Sequence, residues 1–246
     1  MRLLHKTLIL GAAAAFLITF PMAASADVII TEVVDATLPG GLPKFVEITN
    51  TGPGSVDLSN YSIGNYNNGG TLLGGSTSFV LSGTLAACDS WVISYENSDS
   101  PGVGLFYDTY GFDPDEFGLG AFINGDDVIA LFLADGSGTG GAATGDGSDA
   151  TMIDIYGVIG VDGSGEAWEY TDGYSYRNCN IVSGNGGTFV AGEWTIGGAN
   201  SLETGDDVEE EALILALTDP GENCAAPCEP TPVENSTWGS IKRTYQ

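Results

Sequence analysis

The chain is 246 residues long, with 33 acidic and six basic side chains and a formal net charge of −27. A surface this acidic repels phosphate backbones, because nucleic-acid affinity rests on Lys and Arg displacing counterions, and it disfavours anionic lipid surfaces for the same reason. Hydrophobic residues at 43%, including ten Tyr, ten Phe and four Trp, exclude a disordered composition and are enough for a sizeable core.

The first 26 residues read as an export signal. Arg2 and Lys6 form a basic start, residues 7–20 (TLILGAAAAFLITF) carry no charge, and the small-residue run AASA ends at Ala26. This is the pattern of a cleaved secretory signal. An apolar run of about 14 residues is too short for a spanning helix, which needs roughly 20. No Cys stands at the cleavage site, so a lipid anchor is not expected, and no later segment is apolar and long enough to span a bilayer. The mature chain is expected to begin at Asp27 and to be secreted, extracellular or held at the cell surface. Cleavage removes Arg2, Lys6 and the one histidine, His5; Lys44, Arg177, Lys242 and Arg243 remain against 33 acids, a formal charge of −29. Without His there is no Ser-His-Asp or Cys-His pair and no His-ligated zinc. Divalent cations and cationic partners are the natural counterparts of such a surface, and solubility alone is the plainer reason for it.

From residue 27 onward the pattern is β. Short β-branched and aromatic runs are separated by Gly, Asn, Asp and Ser clusters, which reads as a sandwich or barrel. The expected strands, in chain order, are VIITEVV (28–34), KFVEITN (44–50), YSIGNY (61–66), TSFVLS (77–82), WVISYE (91–96), DVIALFLA (127–134), MIDIYGVIG (152–160) and YSYRN (174–178). In KFVEITN, Val46 and Ile48 share one face and Glu47 and Thr49 the other, as in a half-buried strand. VIALFLA is apolar on both faces and suits a central strand. A glycine-rich loop covers 135–149.

Four cysteines in an exported chain favour two disulfides. Three pairings are possible. Cys224 and Cys228 (ENCAAPCE) are close enough to close a small loop, which leaves Cys88 with Cys179. A bond closing a loop of about 90 residues is worth roughly 4–5 kcal/mol in the chain-entropy model. Near residue 200 the composition shifts. GDDVEEEALILALTDPGENC (205–224) mixes acidic and apolar runs and fits a strand or a short helix equally; PCEPTPVEN is proline-punctuated and extended. In the last segment Trp238, Ile241 and Tyr245 would share one face of a short helix, either a frayed end or a docking or sorting tag. The sequon at Asn235 carries little weight.

The stretch FVEITNTGPGSVDLSNYSI (45–63) resembles the lamin tail domain as it occurs in bacterial exported proteins, where a "VEI-N" strand leads through a turn to "DLS-Y-I". VIITEV at the start, NGDDVIALFLADG (124–136), IDIYGVIGVDGSGEAWEYTDGYSYR (153–177) and GEWTIGG (192–198) fit the same family in the same order. The resemblance covers roughly 27–200. It implies an all-β, immunoglobulin-like β-sandwich, a domain without catalytic machinery that accompanies enzymes or adhesion modules in other chains. The expected organisation is a signal at 1–26, the sandwich at 27–200, and a flexible acidic, proline-punctuated extension at 201–246. Arg177, following YSY in a family block, is expected in a buried structural ion pair.

Fold alone does not give function, so each candidate group is weighed by its chemistry. Asp126 with Asp127, and Asp146 with Asp149, are the candidate calcium ligands, since calcium takes carboxylate oxygens from flexible loops; turn-forming acids are the plainer reading. Asp113, Asp115 and Glu116 could pair for glycoside hydrolysis but read better as a solvated loop. Trp168, Tyr170, Tyr174 and Tyr176 could stack on sugars or pack the core. The expected function is an exported, non-catalytic interaction or surface module with an unknown protein or surface partner, calcium-stabilised and without direct nucleic-acid binding. A carbohydrate-binding module is the alternative, and a carboxylate or metal hydrolase ranks below both.

Overall fold

The computed structural model describes residues 27–74, 78–96, 100–118, 123–133 and 142–222. The chain runs β1 (Val28–Leu38), β2 (Leu42–Asn50), β3 (Val56–Asp57), β4 (Tyr61–Tyr66), β5 (Phe79–Val80), β6 (Thr84–Leu85) and β7 (Ser90–Tyr95). There follow α1 (Leu105–Tyr110), β8 (Glu116–Phe117), β9 (Val128–Leu133), β10 (Thr151–Tyr156), β11 (Gly173–Arg177), β12 (Trp194–Ile196) and α2 (Asp207–Leu217). Two sheets form the sandwich. One has six strands in the order β12-β11-β1-β2-β7-β8, the other four in the order β10-β9-β4-β5, and β3 and β6 make a small ribbon. The architecture is the all-β, immunoglobulin-like one.

The pleat explains the central core. Val28, Ile30 and Val33 of β1, Val46 and Ile48 of β2 and Ile93 of β7 meet Ile63, Ile129, Leu131 and Ile155 of the facing sheet, all buried. Strand alternation puts every second residue on that inner face. One irregularity re-aims β1: Ile30 stands opposite Ile48 but Glu32 stands opposite Glu47, so Thr31 is the extra residue of a β-bulge. At the β10–β11 end, Tyr156 packs edge-on against Trp168, Tyr170, Phe189 and Trp194.

The outer face of the six-stranded sheet carries a second core. Val34, Ala36, Phe45 and Val92 are covered by Phe106 from α1, Ile214 from α2, and Leu202. Two expectations change here. Glu47 and Thr49 do not face solvent: each is about 1% exposed, because the chain after α2 closes over them and the Gly221 N–H donates to Glu47 Oε2 at 2.6 Å. The extension expected from residue 201 begins as packed structure, since Leu202 and Ile214 are fully buried. The segment left open between strand and helix is helix. Asp206 caps it by accepting from the Val208 and Glu209 N–H groups, and Asp207, Glu209 and Glu210 sit in its first turn, where the helix dipole favours acids.

α1 was not expected from the sequence, and its cap is remote. The Glu96 carboxylate accepts from the Leu105 and Phe106 N–H groups at 3.0 and 2.8 Å. Cys88 and Cys179 are both disulfide-bonded. Cys224, Cys228, Asn235, Trp238, Ile241, Tyr245 and residues 1–26, read from the sequence as an export signal, lie outside the described residues. No helix among the described residues is long and apolar enough to cross a membrane.

Candidate functional site

A recess of about 540 Å³ opens where the end of α2 leaves the outer face of the six-stranded sheet. Its floor is the bulged part of β1 with β2, and this is why two carboxylates lie side by side there. The bulge turns Glu32 outward opposite Glu47. Glu47 Oε1 accepts from the Thr31 hydroxyl at 2.6 Å, and Thr31 and Thr49 hydroxyls meet at 2.9 Å. Glu32 is 4% exposed, and its Oε1 accepts one long bond, 3.4 Å, from the Asp219 N–H. Burial, and then the neighbouring Glu47 charge, push the Glu32 carboxyl well above the usual range. Tyr176, 40% exposed, forms one wall and stacks on Tyr174 with ring centroids 6.1 Å apart. Leu215 and Leu217 of α2 form the other, and Asp219 and Glu222 complete the rim.

Sequence reasoning did not single out Glu32 or Glu47. The legible signal was the pair of Glu residues in successive strands of an otherwise apolar pattern. What was not legible was the bulge that sets them on one face.

Arg177 turns inward from the same strand that carries Tyr176. Its guanidinium bonds Asp154 through both Nη atoms, the shortest contact at 2.7 Å, with both side chains wholly buried. Asp154 also accepts from the Ile30 N–H at 2.8 Å and the Asn185 N–H at 3.0 Å. The guanidinium lies 4.7 Å over the Trp194 ring. This network ties β1, β10, β11 and the 184–186 loop together.

The candidate calcium residues fall in two separate loops. Asp126 and Asp127 form the turn before β9. Gly125 makes that turn possible: its φ is 71°, and a Cβ there would run into the backbone of Tyr170 and Thr171. Asp127 is buried, which pushes its carboxyl up, and its Oδ1 accepts from the Asn68 N–H at 2.8 Å. Asp126 Oδ2 accepts from the Ser164 hydroxyl at 3.1 Å, while its Oδ1 is buried with no hydrogen-bond partner among the described residues. Asp146 and Asp149 build an exposed turn. The Ser148 side chain bonds Asp146 and the Thr144 hydroxyl bonds Asp149, each joined by the N–H of the same residue, and these contacts hold both carboxyls below the usual range. Among the described residues no group of three or more His, Cys, Asp or Glu is arranged to hold a metal.

The acids of the 113–116 stretch are joined to backbone and are not paired with one another. Asp113 accepts from the Gly102 N–H, Asp115 from the Val92 N–H, and Glu116 from Ser82 and the Trp91 indole N–H. Of the four rings considered for sugar stacking, Trp168 and Tyr170 are in the core, at 4% and 0% exposed, so the four-ring platform does not exist.

The Lamin Tail Domain family model matches residues 21–156, more than half of the chain, and the chain belongs to that family. No curated protein matches it.

Proposed function

We propose that this lamin tail domain is an exported, non-catalytic interaction module, bacterial in origin, that engages a protein or surface partner. The observation that carries the reading is where the ionisable groups are engaged. Asp113, Asp115, Glu116, Asp154 and Arg177 each hold a strand, a turn or one another, and those contacts build the domain. The recess on the outer face is a concave part of the described surface that a partner could enter. Export rests on the N-terminal pattern of residues 1–26 and agrees with the bonded state of Cys88 and Cys179. To test it, the mature chain is presented to a saccharide array and to chromogenic glycoside and phosphoester substrates. Neither retention nor turnover is expected. A retained saccharide would favour the carbohydrate-binding alternative, and turnover abolished by a carboxylate-to-amide change would overturn the reading.

Calcium stabilisation is part of the same proposal, on the strength of Asp126 Oδ1, a buried oxygen that a cation beside Asp127 would satisfy. A ligand that binds only the folded state must raise its melting midpoint. About 1 mM calcium, in the range of weak extracellular sites, is expected to raise the midpoint by several degrees over chelator, with magnesium ineffective. An unchanged midpoint would remove calcium from the account and leave Asp126, Asp127, Asp146 and Asp149 as turn residues.

A further inference from the structure

We propose that Lys44 and Asp35 condense into an isopeptide bond that ties β1 to β2 inside the sandwich. Such a bond is independent of the interaction-module reading and braces the domain whatever it engages.

Strand register brings the two side chains together. Asp35 and Lys44 are direct partners across β1 and β2, nine positions apart in the chain. Val33 and Val46, two residues away on either strand, face the central core, so the pleat turns Asp35 and Lys44 to the same inner side. The Lys44 Nζ donates to Asp35 Oδ1, and the two residues are 7% and 3% exposed. Two reacting groups fixed in contact behave as though each were present at very high concentration.

The site favours a neutral product. Taking an ion pair out of water carries a desolvation cost that often exceeds the attraction between the charges. Burial raises the Asp35 carboxyl to about 6 even against the Lys44 charge. An amide has no charge to desolvate, and the same burial keeps water from hydrolysing it. Asp35 Oδ2 is weakly held, with a 3.5 Å bond from the Asp172 N–H. Tyr170 is wholly buried, and its hydroxyl has no hydrogen-bond partner among the described residues. Burial, then the Tyr156 and Asp35 charges, push the Tyr170 phenol up, so it keeps its proton. A donor within range of the Asp35 charge is suited to bond the oxygen on which negative charge develops as the amide forms.

The step balances within the pair. One Nζ proton passes to the Asp35 carboxylate, the free amine attacks Cγ, and the N–C bond forms as one Cγ–O bond breaks. The departing oxygen carries two of the ammonium protons away as water, the third stays on the amide nitrogen, and the two charges cancel. No oxidant, metal or second substrate is required. The ion pair is the state before joining, and Asp35 titrates only in that state.

The test weighs the mature chain intact, with its disulfides reduced and thiols alkylated, and then digests it with trypsin under denaturing conditions. The mass is expected to fall short of the sequence by one water. Cleavage after Lys44 is expected to be lost, because an amidated lysine is not a trypsin site, and fragmentation is expected to show a ring closed between positions 35 and 44. Lys44→Arg, which keeps the charge but not the amine, is expected to restore the full mass. Two results would overturn the proposal. One is a native chain of full mass that trypsin cuts completely after Lys44. The other is a water loss that persists in Lys44→Arg, which would place it in a succinimide at an Asp-Gly pair such as Asp146 and Gly147 or Asp162 and Gly163. The fragment map of the native chain decides the matter should the variant fail to fold. A full-mass result leaves the interaction-module reading to its own test, which turns on saccharide retention and turnover.

Discussion

At the scale of single residues the protein is held by a few deeply buried charges that bond to one another and to backbone. Asp154 is the clearest: it takes Arg177 from one side and two backbone N–H groups from the other, with no exposure. Removing one partner of a buried pair leaves the other charge stranded, at a cost of about 3–5 kcal/mol. Asp154→Ala is therefore expected to lower the unfolding free energy by about that amount in a denaturant titration. A loss below about 1 kcal/mol, the ceiling for an exposed pair, would mean that the network is not a keystone. Arg177 was readable from the sequence through its place after YSY in a block that resembles the lamin tail domain. Asp154 was not, since nothing local distinguishes it from the other Asp residues. Glu32 was hidden for another reason: only the Thr31 bulge, a feature of strand pairing, turns it to the outer face.

At the scale of elements, the longer strands were legible, while the short β3, β6, β8 and β12 and the helices were not. Alternation and β-branching placed β4 at its full extent and β1, β2, β7, β9, β10 and β11 to within a few residues, because those signals are local. α1 has only six residues and takes its cap from Glu96, nine positions before its first turn, so no local rule could find it. α2 did carry a signal, an Asp206 cap with Glu209 three residues later ahead of an apolar run, which is the pattern of a capping box. It remained ambiguous because ALILAL suits a strand as well. Its packing makes it part of the domain. Ile214 is fully buried against Val34 and Phe45, and Glu210 reaches back to the Thr204 and Gly205 N–H groups at 2.9 and 2.8 Å. Ile214→Ala is expected to cost about 2–4 kcal/mol, the usual loss for a buried aliphatic truncation. A change within about 0.5 kcal/mol, typical of a surface site, would show that α2 is only loosely attached.

At the scale of the whole molecule the governing quantity is charge. Burial raises the Asp35 carboxyl from 3.8 to about 6 against the pull of its ion-pair partner Lys44, and raises Glu32 still more clearly. A carboxyl whose folded value is raised binds its proton more tightly in the folded state. Its stabilisation is fully present below the unfolded value and is lost as pH rises through the folded one, which for Asp35 is the window from about 4 to about 6. Acidification also relieves the self-repulsion of a chain with six basic residues against 33 acids. The melting midpoint is therefore expected to rise between pH 7.5 and pH 5. The gain is about 1–3 kcal/mol, which for a domain of this size is several degrees. A midpoint that falls steadily over the same interval would contradict the account of the buried acids.

The central claim, an exported interaction module folded around bonded cysteines, is tested most directly by intact-mass measurement of the protein recovered outside the cytoplasm, before and after reduction and alkylation. The account predicts a chain beginning at Asp27 whose thiols become reactive only after reduction. A chain retained in the cytoplasm with Met1 and residues 2–26 still attached, and thiols reactive from the start, would contradict it.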